Sequence, residues 1–354
     1  MTDLSSDVFR SVDIYDFNRD DPRAWFPWHD LARPVDEFPW IPRDALYIGS
    51  CLRELARIIG PERARTLRIL VTWYWRVDPI LPHVGDDVIV FCLGDELARI
   101  PPYAHDVGLL AKTGVTRRPF VAVGAPSTWG SLVPSVLQEV NAQLLRLPTA
   151  LRSLRRSVRH RRPPAVVEIP LAPWSPPEGP LVPFDERRYD LTFAGSMTNE
   201  VERRRVLPQK TRARRELVGA LDRLRRDRPD LAVDVRTFDS FHDAKHADGY
   251  VELMMQTRLM PCPRGGFRET YRHFEAAAAG CVLITEMLPR RAYYRGCPAV
   301  QLRTWSQLPG TVESLVADRA ALRRRHEATL EWWQRECSPH ATAARVAARL
   351  DARP

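Results

Sequence analysis

Cys262-Pro-Arg-Gly-Gly-Phe-Arg-Glu-Thr-Tyr-Arg-His-Phe-Glu-Ala-Ala-Ala-Ala-Gly-Cys-Val-Leu-Ile284 reads as a strand end, a glycine turn, a helix and a buried strand in one unbroken run. Arg258–Cys262 has strand composition and stops at Pro263. The Gly265-Gly266 pair lets backbone amides approach a ligand, because no Cβ stands in the way. Helical spacing begins near Glu269 or Thr270 and runs to Ala279. Gly280 supplies the left-handed stop, and Cys281–Thr285 is an apolar run of strand length. The N-terminus of the helix carries unpaired N–H groups and the positive end of the helix dipole, which together make an anion site. Arg264, Arg268 and Arg272 flank that end and can clamp a diphosphate. Glu275, one turn on, can accept both hydroxyls of a ribose. Ligands of open α/β sheets bind outside the carboxyl ends of the strands, where this loop lies. Read without a ligand, the same stretch is a plain turn with solvated arginines and a surface glutamate. Neither G-x-G-x-x-G nor the P-loop pattern occurs.

Working outward, strands and helices alternate. Asp190–Ala194 reads as a strand that runs into Gly195 and Ser196. Thr211–Arg226 is a helix with Leu217, Leu221 and Leu224 on one stripe. Leu231–Thr237 is a strand and Tyr250–Gln256 a short helix; Thr311–Gln334 and Thr342–Leu350 are helical. In the first half, Leu52–Ile59 has helical spacing, and Leu67–Trp75, Val88–Leu93 and Phe120–Val123 read as strands. Val133–Arg159 is helical and broken near Pro148. The first 45 residues, rich in Trp, Pro and Asp, are expected to be irregular. Pro163, Pro164, Pro170, Pro173, Pro176, Pro177 and Pro180 bracket a short strand, Val166–Ile169, in what reads as a stiff linker. This pattern predicts an α/β protein of two parallel-sheet domains. The expected boundaries are 1–165 for the first domain, 166–186 for the linker, 187–335 for the second domain and 336–354 for a C-terminal helix returning to the first.

The chain has 354 residues, 44% hydrophobic and 27% charged, which suits two globular domains and excludes wholesale disorder. No apolar run approaches the ~20 residues of a membrane span. The N-terminal residues lack the plan of a signal peptide, so the expectation is a cytoplasmic protein. Six cysteines at 51, 92, 262, 281, 297 and 337 form no C-x-x-C pair, which argues against a disulfide frame or zinc site. Arginine dominates the basic residues, with lysine only at 112, 210 and 245. Residues 1–185 hold 22 basic and 22 acidic side chains, whereas 186–354 hold 31 and 22, so the whole net charge of +9 lies in the second half. Such an excess suits an anionic ligand.

Cys262, Pro263, Gly265, Glu275, Ala276, Gly280 and Cys281 match the spacing of a known signature: C-P-x-G, nine residues, E-A, then G-C and an apolar strand. In this the chain resembles the exostosin-like glycosyltransferases (glycosyltransferase family 47), over roughly residues 187–340. The resemblance implies a GT-B architecture: two Rossmann-like domains facing each other across a cleft, with C-terminal helices crossing back to the first. It implies a hexosyl- or pentosyl-transferase of polysaccharide or glycoconjugate biosynthesis, moving sugar from a nucleotide-sugar, a UDP-sugar in this family. The donor would meet Gly195, Ser196, Arg264, Gly265, Gly266, Arg268, Glu269, Thr270, Arg272 and Glu275, with Glu275 on the ribose and Arg272 near the phosphates. Retaining GT-B enzymes often carry a second Glu eight residues before the ribose-binding one. Phe267 stands there, which favours inversion. With no D-x-D in the chain, the expectation is no cofactor and no essential metal.

The base that activates the acceptor hydroxyl is expected from the first domain. Asp95 and Glu96, directly after the Val88–Leu93 strand, are candidates, as is His105 in the next loop; Asp95 also reads as a helix cap. The expected acceptor is a glycan, a lipid-linked or a small-molecule hydroxyl compound. Arg152, Arg155, Arg156, Arg159, Arg161 and Arg162 can dock on anionic lipid, giving a peripheral contact at the inner membrane face, or form a solvated helix end. Trp25, Trp28 and Trp40 can serve as sugar-stacking platforms, whereas Trp73, Trp75, Trp332 and Trp333 read as core. A non-catalytic GT-B-like nucleotide- or glycan-binding scaffold is the alternative. No nucleic acid partner is expected, because the basic half carries no recognised module and no patterned aromatics.

Overall fold

Val88, Ile89, Val90, Phe91, Cys92 and Leu93 are all at most 1% exposed, as a strand covered on both faces of a parallel sheet must be. The computed structural model describes residues 8–16, 21–31, 44–73, 80–94, 100–114, 151, 155, 163–171, 173, 176–177, 179–197, 209–239, 249–265 and 268–352. They contain β1 (Ser11–Tyr15), β2 (Trp25–Pro27), α1 (Asp44–Ile59), β3 (Arg68–Trp73), β4 (Gly85–Leu93), β5 (Val107–Thr113) and β6 (Val166–Ile169). After these come β7 (Tyr189–Ser196), α2 (Gln209–Asp227), β8 (Val233–Phe238), α3 (Tyr250–Met255), β9 (Thr257–Cys262), α4 (Tyr271–Ala278), β10 (Val282–Glu286) and β11 (Val300–Leu302). The chain continues through α5 (Leu308–Ala317), α6 (Arg319–Trp332) and α7 (Pro339–Asp351).

The chain divides into two compact units, one drawn from Met1–Pro119, Val140–Ala172 and Glu336–Pro354, the other holding Pro173–Arg335. The first sheet has the order β2-β1-β3-β4-β5-β6, parallel throughout except for the β1–β2 pair. The second has the order β11-β10-β9-β7-β8 and is wholly parallel. The expected α/β class with a parallel sheet in each unit is what the chain adopts.

Two expectations are corrected, and one strand is added to those expected. The N-terminal segment is not irregular throughout: Ser11–Ile14 alternates half-buried and buried positions, and the strand pairs in parallel with β3 from Ser11↔Arg68 to Ile14↔Val71. Val166–Ile169 is not part of a linker, because Leu110↔Val166 through Thr113↔Ile169 make it a strand of the first sheet. Val107–Thr113, buried along its whole length, was not anticipated as a strand. Phe120–Val123 and nearly all of Val133–Arg159 lie outside the described residues.

Within the first unit, α7 packs on α1. The Tyr47 hydroxyl donates to the Cys337 carbonyl at 2.5 Å and accepts from Thr342 Oγ1 at 2.8 Å. At the far end of α7, Arg63 pairs with Asp351. The returning helix is thus held by a buried hydroxyl pair and a surface ion pair. In the second unit, Leu217, Leu221 and Leu224 of α2 are fully buried against Leu191, Phe193 and Leu259 of the sheet and Trp305 and Leu308 beyond it. The predicted leucine stripe is therefore the core face of α2.

Gly280 ends α4 with φ of 73°. A Cβ there would lie 2.6 Å from the His326 ring, whose Nδ1–H donates to the Gly280 carbonyl at 2.5 Å. Left-handed strain and the clash add, so Gly280→Ala is expected to cost about 2–4 kcal/mol of stability in chemical denaturation. A loss under about 1 kcal/mol would show that the turn relaxes freely.

Candidate functional site

In the second sheet the chain goes from β7 to β8 on one side and then crosses to β9 on the other, so the strand order reverses between β7 and β9. Ligands of open α/β sheets bind at the carboxyl ends of strands at such a reversal. Here the two strands also part. Their pairing extends only from Tyr189↔Thr257 to Leu191↔Leu259, while β7 stays with β8 as far as Ser196↔Phe238 and β9 stays with β10 as far as Cys262↔Thr285. Past those pairs no ladder joins Ala194–Ser196 to the loop after Cys262, and the gap between them is the candidate crevice.

Arg272, in the first turn of α4 and 8% exposed, reaches into this crevice. Its Nη2 donates to the Ala194 carbonyl, and its guanidinium lies 4.8 Å from the centre of the Phe193 ring. Nε and Nη1 have no hydrogen-bond partner among the described residues. Buried guanidinium nitrogens without an acceptor are uncommon and call for a physical reason, and the same guanidinium also acts on the Tyr250 hydroxyl. Gly195 is required beside it, since a Cβ at that position would stand 2.3 Å from Nη2. Glu275, one turn further along α4 and 4% exposed, accepts from the Tyr250 hydroxyl at 2.9 Å. Burial, and then the neighbouring Glu275, raise the Tyr250 pKa, so the phenol stays protonated. Tyr250 was not anticipated, because only the tertiary fold brings the start of α3 to α4.

The loop itself is fastened at several points. Glu269 is 8% exposed, pairs with Arg291 at 2.9 Å and accepts from Tyr293 Oη at 3.1 Å. This placement makes Glu269 an anchor of the loop rather than an open ligand group. Thr270 caps α4, and its N–H donates to His273 Nδ1 at 3.1 Å. His273 Nε2–H donates in turn to Thr285 Oγ1 at 2.8 Å, and that hydroxyl donates to the Cys262 carbonyl at 3.2 Å. The Arg264 N–H is held by Glu286 Oε2 at 2.8 Å. Burial raises the Glu286 pKa, and Arg264 and Arg268 work against that rise. Two amides that flank the glycine turn, those of Arg264 and Thr270, are therefore already engaged. Gly265 forms the bend between them. Gly266 lies outside the described residues.

Arg214 of α2 is a further residue that the leucine stripe did not reveal. It is 5% exposed, and its Nη1 donates to the Ser196 carbonyl and, at 3.1 Å, to Ser196 Oγ. Ser196 is 1% exposed, so this predicted donor residue is a buried partner of Arg214.

Of the base candidates, Asp95 and Glu96 lie outside the described residues. His105 closes a short turn, Pro102–His105, just before β5, and the next residue, Asp106, accepts the N–H of Gly85 at the start of β4. This puts His105 at the amino edge of the first sheet, away from the carboxyl ends of the strands. Of the Arg152–Arg162 group only Arg155 is described. Trp28 is 1% exposed and so belongs to the core; Trp25 donates Nε1–H to the Ile80 carbonyl at 2.8 Å; Trp40 is not described. Among the described residues, no helix is long and apolar enough to cross a membrane, and no group of His, Cys, Asp and Glu side chains is placed to hold a metal ion.

Burial lowers the His273 pKa to about 3, with Arg272 adding to the effect. The ring is neutral in the fold, so its contribution to stability is complete above the ordinary histidine range near 6.5 and is lost as pH falls from there towards 3. Denaturation at a series of pH values should show stability declining across that window, with a shallower decline in His273→Gln. Parallel profiles for the two proteins would show that His273 does not contribute.

No protein-family model matches the chain, and no curated protein is similar to it. Among solved structures it is similar to a chain of the GtfA/B complex, at 11% identity and a TM-score of 0.39, covering 76% of this chain and 57% of that one. It is also similar to the glycosyltransferase SnogD from Streptomyces nogalater, at 13% identity and a TM-score of 0.32, covering 90% and 83%. At these scores the likenesses carry no weight in the functional reading.

Proposed function

We propose that the chain is a glycosyltransferase of the inverting, exostosin-like GT-B type, taking a UDP-sugar donor at the β7–β9 crevice and passing the sugar to an acceptor hydroxyl. The observation that supports the reading is Arg272: a buried guanidinium at the strand-order reversal whose Nε and Nη1 have no hydrogen-bond partner among the described residues. A diphosphate suits those donors, the N-terminus of α4 and the basic Arg264 and Arg268 beside it. Glu275, one helical turn from Arg272, is the residue that the family pattern assigns to the ribose.

In this reading the acceptor oxygen attacks the anomeric carbon as the bond to the diphosphate oxygen breaks. A base takes the hydroxyl proton, and the charge left on the departing diphosphate is stabilised by fixed guanidinium and helix-dipole charge in place of a metal ion. The resemblance assigns the base to the first unit, and Asp95 and Glu96 are its candidates. Phe267, standing where a second carboxylate would serve a retaining enzyme, agrees with a single inverting displacement. A second reading, a nucleotide- or glycan-binding scaffold, gains from the position of His105 at the amino edge; turnover of donor and acceptor separates the two.

Thermal stabilisation by UDP, GDP, dTDP, CMP and ADP tests the donor site. One nucleoside diphosphate should stabilise the protein selectively, with affinity reduced about tenfold or more in Arg272→Ala and Glu275→Ala, the loss of a charged hydrogen bond. Gly195→Ala should weaken binding as well, by displacing the guanidinium. A chain that responds to no nucleotide at millimolar concentration is not a nucleotide-sugar transferase.

A further inference from the structure

The crevice has two walls, and one side chain touches both. Arg214 Nη1 donates to the carbonyl and hydroxyl of Ser196, the last residue of β7, while its Nε lies 3.5 Å from the Arg264 carbonyl in the loop after β9. These are the two strands whose pairing ends at Leu191 and Leu259. Past that point no ladder fixes their separation, and the guanidinium of Arg214 spans it instead. Arg214 comes from α2, whose lower face is anchored in the core by Leu217, Leu221 and Leu224, so the span has a rigid base. Lys210, one turn earlier on the same helix, is 4% exposed and adds positive charge at the same end. Arg272 grips Ala194 from α4. The segment Ala194–Ser196 is thus held at both ends by guanidinium groups from two helices.

We propose that Arg214 is a positioning residue that sets the width of the crevice and thereby adapts it to a diphosphate, as distinct from the nucleoside. The proposal rests on the reading of the crevice as a nucleotide-sugar site. Its physical basis is the planar fork of arginine, which can serve two carbonyls in different directions at once; a lysine keeps the charge but donates from a single point. A wall displaced by a fraction of an ångström would leave the base and ribose contacts nearly intact while misaligning the phosphates with Arg272.

The test is calorimetric titration of the full chain with a nucleoside diphosphate, its monophosphate and the nucleoside (UDP, UMP and uridine where the panel selects uracil). It compares wild type, Arg214→Ala and Arg214→Lys, with melting temperatures recorded alongside. Both variants should lose about tenfold or more in diphosphate affinity, the size of one charged hydrogen bond that a misaligned Arg272 no longer makes to the phosphates. Their affinity for nucleoside should change less than about twofold. Arg214→Lys guards against an unfolded alanine variant and should melt within a few degrees of wild type. Equal losses for all three ligands, tracking the melting temperature, would show a purely structural role and overturn the proposal. So would wild-type diphosphate affinity in Arg214→Lys. Wild-type protein that binds none of the ligands overturns the nucleotide reading itself, whereas wild-type binding with unaffected variants overturns only the role of Arg214.

Discussion

The second unit is organised by a carbonyl that loses its neighbour. Where β7 leaves β9, the backbone oxygens of the departing strand must be satisfied inside the protein, because a buried carbonyl without a donor costs as much as a lost hydrogen bond. Arg272 supplies the donor at Ala194 and Arg214 supplies it at Ser196. The same opening that is proposed as a ligand crevice therefore demands buried cations beside it. Gly195 follows from this demand, since any side chain there would collide with the guanidinium. Fold and site are set by one constraint.

The cations would be costly if the surrounding loop could drift, and it is fastened against drift. Glu269 is tied to Arg291 and Tyr293, His273 to Thr270 and Thr285, and the Arg264 amide to Glu286. Each tie joins the β9–α4 segment to β10 or to the residues after it, or closes the cap of α4. Fixing donors before a ligand arrives reduces the ordering cost of binding. The fastening also changes the character of the site. With the Arg264 and Thr270 amides engaged, the proposed anion site relies on guanidinium groups and the dipole of α4 more than on these two amides.

Much of this was legible in the sequence where local pattern and tertiary role coincide. Gly280 ends a helix because only a left-handed residue fits, and Leu217, Leu221 and Leu224 face the core because helical spacing puts them on one stripe. Arg272 and Glu275 stand out by spacing on α4. Other features had no local signal. Ser11–Tyr15 is five residues among prolines and tryptophans, and its strand character comes from pairing with β3. Glu269 looked like a ligand group because its partners, Arg291 and Tyr293, are more than twenty residues away in sequence. Arg214 was masked by the charged face of an amphipathic helix, where one buried arginine resembles its solvated neighbours.

The arginine excess of the second half takes on a different meaning in this light. Arg187 is 2% exposed and donates to the carbonyls of Val182, Thr257 and Ala279; Arg258 donates to those of Phe184 and Asp185 and pairs with Asp190. Arg319 and Arg323 pair with Asp185. Several charges that suggested an anionic ligand are thus spent on backbone oxygens and local carboxylates, so net charge overstates the ligand-facing surface. The same fact favours arginine over lysine. Satisfying two or three carbonyls from one side chain needs several donors in a fixed plane, which a guanidinium has and an ammonium on a flexible stem lacks. Arg272 differs from these structural arginines in one respect: one nitrogen serves the backbone while Nε and Nη1 have no hydrogen-bond partner among the described residues, and the proposed donor site is built on that difference.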